Sequence, residues 1–218
     1  MRCVPGGTLR FLFLAGVMGT LGAPVIVTGE ESPAVDGAIL ERPLAEVIAR
    51  DASLGKAVNR LQDYHILVCY EQLNSIDEHT GAIEKPRVNL DVKGVTVRAV
   101  LDEIVADVGG YRWEFDAEHG LVNLLPENAY AEQVHLSVHA AQVGLMDLLW
   151  ESDLHLERFG IYLVHDGVWA PNMPVSIDVE DESLRNTMNA LVAQAPGWVW
   201  QLVGVEGRRT LTLSYAGK

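Results

Sequence analysis

The sequence predicts an α+β protein of two tandem two-layer modules, each a small mixed β-sheet with helices on one face. Three observations predict it: a stretch written twice, a change of hydrophobic period inside each copy, and turn residues at matched places. Positions 88 to 113, "VNLDVKGVTVRAVLDEIVADVGGYRW", recur as "VSIDVEDESLRNTMNALVAQAPGWVW" at 175 to 200. Aligning n with n + 87 runs without a gap from Val88 to Phe115 and from Val175 to Leu202. Identical pairs are Val88/Val175, Asp91/Asp178, Val92/Val179, Arg98/Arg185, Val105/Val192, Ala106/Ala193, Gly110/Gly197 and Trp113/Trp200. Two unrelated helices would not also share their flanking strands, so this is a duplicated structural unit.

Each copy begins with alternation. Val88, Leu90 and Val92, and their counterparts Val175, Ile177 and Val179, have the period of a strand with one face buried. Thr96 and Ser183 then stand where a side-chain oxygen caps a helix. Val97, Val100, Leu101, Ile104, Val105 and Val108 follow at helical spacing, with Leu184, Thr187, Met188, Leu191, Val192 and Ala195 in the same slots. Gly109-Gly110 and Pro196-Gly197 stop the helices. Tyr111, Trp113 and Phe115, or Trp198, Trp200 and Leu202, alternate as a strand, and tight turns at 118–120 and 206–207 lead into strands 121–125 and 211–215. The repeated core therefore reads β-α-β-β.

Upstream of the first copy, Leu54, Ala57, Val58 and Leu61 mark a helix and Ile66 to Tyr70 an apolar strand; upstream of the second, a helix over 143–150 and a strand over 160–165 match more loosely. The first module is placed at 51–127 and the second at 132–216. Residues 30–50 read as a polar linker with one short helical turn, and 74–85 as a loop between strands.

The 218 residues are 49% apolar and 21% charged, an ordinary globular balance. The formal charge of −14 argues against nucleic acid or anionic lipid as partner, because both are bound through basic patches. Residues 1–29 have the layout of a signal peptide, with Arg2 and Arg10 ahead of an apolar run to about Val27; an uncleaved N-terminal anchor is the alternative reading. Export, to the periplasm or cell envelope of a bacterium, is the expected localisation, with no membrane insertion once the leader is cleaved. Cleavage would also remove Cys3, leaving Cys69 without an internal disulfide partner.

The order "SLGKAVNRLQDYHILVCYE", "VNLDVKGVTVRAVLDEIVADVGGYRWEF", "LVNLLP" resembles the short N-terminal domain shared by secretins and TonB-dependent transducers (the STN domain). The likeness runs from about Ser53 to Pro126 and, more divergently, from about Val134 to Tyr215. It rests on a hydrophobic pattern with a Gly-aromatic step at Gly110-Tyr111. The resemblance implies a non-enzymatic envelope module that docks onto a partner protein. Members of that family normally precede an outer-membrane channel or barrel, which this sequence does not contain.

Candidate chemistry is sparse, and neither a catalytic residue nor a cofactor is expected. In "VHLSVH", His135 and His139 fall opposite the apolar Val134, Leu136 and Val138; in "DLHLE", Asp153, His155 and Glu157 fall opposite Leu154 and Leu156. Were those faces adjacent they could ligate zinc, which defines the competing reading of a metal-dependent hydrolase. The simpler reading is the solvated side of two amphipathic strands, since no paired-ligand spacing such as H-E-x-x-H occurs. Cys69 lies in an apolar strand, where burial makes a thiol inert. Trp113 and Trp200 occupy inward positions and are expected in the core. Trp169, in the turn-rich "HDGVWAPNMP", is the candidate contact residue for a partner.

Overall fold

The computed structural model of the chain describes residues 37–151, 154–165 and 172–216. It is mixed α+β, as expected. After a 3-10 turn at Gly37–Glu41, the first module runs β1 (Pro43–Ser53), α1 (Leu54–Gln62), β2 (Val68–Leu73), the small pair β3 (Ser75–Ile76) and β4 (Ile83–Glu84), β5 (Arg87–Thr96), α2 (Val97–Val108), β6 (Tyr111–Asp116) and β7 (Leu121–Pro126). A 3-10 turn at Tyr130–Glu132 leads to the second: β8 (His135–Gly144), α3 (Leu145–Glu151), β9 (Ile161–His165), β10 (Pro174–Ser183), α4 (Leu184–Ala193), β11 (Trp198–Val205) and β12 (Arg208–Tyr215).

Three of these elements, β1, β3 and β4, correct what the sequence suggests. The expected linker 30–50 holds most of β1, which pairs antiparallel with β5 from Pro43↔Thr96 to Ser53↔Arg87. Its buried Leu44, Val47 and Ala49 are interrupted by Glu46, Arg50 and Asp51, so the alternation is too broken to announce a strand. The expected loop 74–85 carries β3 and β4, closed by an Asp77 side chain that accepts from the backbone N–H groups of His79 and Thr80. The first strand of each repeat is thus not in the mixed sheet. It forms a two-stranded ribbon with the strand that opens its module, β1 with β5 and β8 with β10.

Both ribbons run straight into helices, and each helix start is held by the opposite strand's end. Leu54 N–H donates to Pro86, Val97 to Arg42, Leu145 to Met173 and Leu184 to Val134, at 3.1, 3.1, 2.8 and 2.7 Å. The predicted caps form: Thr96 Oγ1 accepts from Ala99 N–H and Ser183 Oγ from Asn186 N–H, both at 3.2 Å.

The duplication is as plain in the backbone as in the sequence. Positive φ angles fall at matched positions: Asp51 and Gln142, His65 and Gly160, Gly94 and Asp181, Gly110 and Gly197. The matched tryptophans keep one contact, Trp113 Nε1 donating to Asp102 at 2.8 Å and Trp200 Nε1 to Asn189 at 2.7 Å. Each tryptophan serves its own core, Trp200 fully buried and Trp113 partly so. The helical stripes are buried as predicted, including Leu54, Val58 and Leu61 on α1, Leu101 and Ile104 on α2, and Met188 and Leu191 on α4.

Each module contributes three strands to one six-stranded sheet in the order β6-β7-β2-β11-β12-β9. Within a module the pairings are antiparallel then parallel, and the modules join through the parallel pair β2–β11, from Gln201↔Tyr70 to Gly204↔Leu73. The second module repeats the strand order of the first with the directions reversed. Side chains of β2 and β7 consequently divide between two cores: Val68, Tyr70, Val122 and Leu124 join α1 and α2, while Cys69, Leu121 and Leu125 join α3 and α4. The helices of the two modules therefore cover opposite faces of a shared sheet.

Because the sheet is shared, the modules are expected to unfold together. Leu101→Ala, deleting fully buried volume from the first core, should cost about 2–5 kcal/mol. Hydrogen exchange should then quicken in β12 as well as in β2; faster exchange confined to residues 43–126 would show independent modules.

Candidate interaction surface

The junction between modules is a network of polar side chains. Glu71, on β2, is 1% exposed, and its two oxygens accept from Tyr130 N–H at 3.0 Å and Ala131 N–H at 2.9 Å. Arg209 of β12 lies 3.8 Å from the same carboxylate, with its guanidinium 3.7 Å from the Tyr130 ring centre. Burial pushes the Glu71 carboxyl above its ordinary range despite those N–H groups and the arginine. Tyr70 Oη donates to Gln201 at 2.9 Å and Asn74 N–H to Gly204 at 2.7 Å, closing β2 against β11.

A second group ties β6 to α4. Arg185 bonds Glu114 and Glu132, each at 2.7 Å, and Arg112 bonds the same two carboxylates at 3.0 and 2.6 Å. Burial raises Glu114, but the two arginines outweigh it and hold the carboxyl below the usual range. Asp116 accepts from His119 Nδ1 at 2.8 Å and from Asn189 Nδ2 at 2.9 Å. Burial pushes Asp116 up as well, and these donors more than reverse it. Asn189 thus connects Asp116 of the first module to Trp200 in the core of the second. Of these groups, Glu114, Asp116, His119 and Arg185 line a cleft of about 480 Å3 between the modules and are engaged within the network.

The sheet ends at β6 on one side and β9 on the other. Among the described residues no strand pairs with the outer edge of either, and the two differ in chemistry. Toward the second module, β6 presents Arg112, Glu114 and Asp116, held in the network above. On β9, Ile161 and Leu163 face the second core while Tyr162 and Val164 are 51% and 46% exposed. Beside β9 lies a groove of about 310 Å3 lined by Leu149, Trp150, Leu154, Leu156 and neighbours. Trp150 is 58% exposed. Gly160 opens the strand at φ +68°, and a Cβ there would stand 2.7 Å from the Gly207 carbonyl oxygen, so the close approach of the β11–β12 turn requires glycine.

The predicted histidines do not converge. His135 and His139 lie on the exposed side of β8 and pair across the ribbon with β10: His135 Nδ1 is 2.8 Å from the Asp181 carbonyl, and His139 contacts Asp178 at 2.6 Å and Glu180 at 3.4 Å. His155 and Glu157, 3.6 Å apart, lie at the start of and within the 3-10 turn Leu156–Phe159 and not in the strand expected there. Leu154 and Leu156 are buried all the same, because that turn also carries one apolar side inward. Asp153 and Trp169 lie outside the described residues. Among the described residues no three His, Cys, Asp or Glu side chains gather to hold a metal ion. Cys69 is fully buried, and burial pushes its thiol up to about 12.

Sequence reasoning did not single out Glu71 or Asn189. Glu71 is the one acid in a mostly apolar, buried strand, a pattern that marks a buried charge needing partners. No known protein family, curated protein or solved structure matches the chain.

Two outcomes follow from this geometry. Glu71→Gln places an amide N–H against one of the two backbone donors and should destabilise by about 1–3 kcal/mol in urea titrations. The wild-type carboxyl is raised, so its contribution to stability is present below the ordinary carboxylate range and declines as pH rises through the raised value; the Gln variant should lose that dependence. Separately, the Asp178 hydrogen bond raises His139, so its imidazole should titrate above about 6.5 by NMR. Asp178→Asn should bring that midpoint down, and an unmoved midpoint would refute the pairing.

Proposed function

We propose that the chain is an exported, non-enzymatic protein–protein interaction module of the bacterial cell envelope, used as the short N-terminal domains of secretins and TonB-dependent transducers are used. The observation that carries this reading is the division of labour in the fold. The apolar stripes of the helices are consumed by two cores and the polar groups between modules by each other, while among the described residues no strand covers the outer edge of β6 or of β9. An open edge offers a row of backbone donors and acceptors to an extended segment of another protein, which is a general route to recognition by strand addition.

The strongly acidic composition favours a basic patch on that partner and a rate of association that falls with salt. No helix among the described residues is long and apolar enough to cross a membrane. The resemblance over 53–126, with its looser echo over 134–215, supports the same use. Which envelope machine is served would be named by the partner itself.

The test is affinity capture from a bacterial envelope extract at low salt, with the full chain as bait. A specific protein that is released by salt is the expected result. Recovery of nothing above a control bait, or stoichiometric zinc in the purified protein that disappears in His135→Ala, would overturn the proposal in favour of the hydrolase reading.

A further inference from the structure

We propose that β9 is a dimerisation edge: it pairs antiparallel with β9 of a second copy of this chain, extending the two sheets into one. Such self-pairing goes beyond the envelope reading: it takes the β9 edge and leaves the β6 edge to a partner's strand.

The junction already inside the molecule sets the precedent. β2 and β9 are the same strand of the repeat, each the last strand of its three-stranded group and each parallel to the strand beside it. In the first module that edge is covered by a strand from another module of the same fold, β11, whose Val203 packs against the first core. The repeat is therefore built with an edge that takes a further strand, and in the second module no described strand occupies it.

One candidate to cover it is the counterpart of β11 in a second copy, which is β6. That would repeat the internal junction head to tail without closure, the geometry of a filament. The residues oppose it. Where β11 offers Gln201 and Val203 at the joint, β6 has Glu114 and Asp116 at the matched positions, with Arg112 two residues before them, all bound within their own molecule. Charges on the face that would have to pack are a device that blocks edge-to-edge growth.

β9 suits itself instead. Its sequence "IYLVH" has no acidic residue, so two strands related by a two-fold axis at Leu163 meet without like charges opposed, in a chain of formal charge −14. Tyr162 of each copy then stands across from Val164 of the other, an aromatic against a β-branched residue, and their half-exposed surfaces cover one another. Such an interface is isologous and stops at two.

The experiment is sedimentation of the full chain over roughly a hundredfold range of concentration around the micromolar level, beside Tyr162→Lys/Val164→Lys in the same chain. The expected result is a monomer–dimer equilibrium that tightens as salt screens the acidic surfaces, with dissociation raised about tenfold or more in the variant. Hydrogen exchange on the wild type provides a readout that needs no variant. Protection at 161–165 should rise with protein concentration while 111–116 stays unchanged. A wild type that remains monomeric throughout, a dimer that the double substitution leaves intact, or protection that grows at 111–116 would each overturn the proposal.

Discussion

The parallel pairing of β2 with β11 is the contact on which the rest of the structure depends. Four residue pairs, Gln201↔Tyr70 to Gly204↔Leu73, turn two three-stranded groups into one six-stranded sheet. The pairing also decides where helices can go. With the second module's strands reversed, its inward side chains emerge on the opposite face, so α3 and α4 sit across the sheet from α1 and α2. Cys69, Leu121 and Leu125 of the first module complete the second core, and Val203 of the second module packs against the first.

Polar groups sharpen this junction, while most of the favourable free energy comes from apolar burial, as in other folded domains. Glu71 makes the arrangement specific: a carboxylate at 1% exposure is tolerable only where Tyr130, Ala131 and Arg209 meet it, and those residues come from the connection and from β12. A displaced second module would leave that charge buried and unpartnered. Arg185 shows how the repeat was put to new use. Its counterpart Arg98 bonds Glu41 and stacks on Trp113 within the first module, whereas Arg185 reaches across to Glu114 and Glu132.

Much of the fold is legible in the sequence because the signals are local. Thr96 and Ser183 announce their helices by residue type, and the stripes from Val97 and Leu184 have the period that burial requires. β1 is not legible, since Glu46, Arg50 and Asp51 break its alternation and only its pairing with β5 defines it. Nor can periodicity reveal that β2 meets β11, because partners 131 positions apart leave no mark on either stretch. For the candidate surface, the burial of Cys69 and the inward placing of Trp113 and Trp200 follow from alternation. Alternation also puts the histidines on the correct side of β8, but their neighbours on β10 depend on ribbon register. The contrast between β6 and β9 emerges only once it is known which strands end the sheet.

The order in which the chain is made gives the β2–β11 junction a further consequence. Ribosomal synthesis and any threading across a membrane deliver the first module well before Trp198–Val205 exist to close it. During that interval the β2 edge is bare, Glu71 has no Arg209, and the second-core side of β7 is wet. Until β11 is made the early half is a partly finished intermediate, and its hazard in that period is capture by the wrong strand.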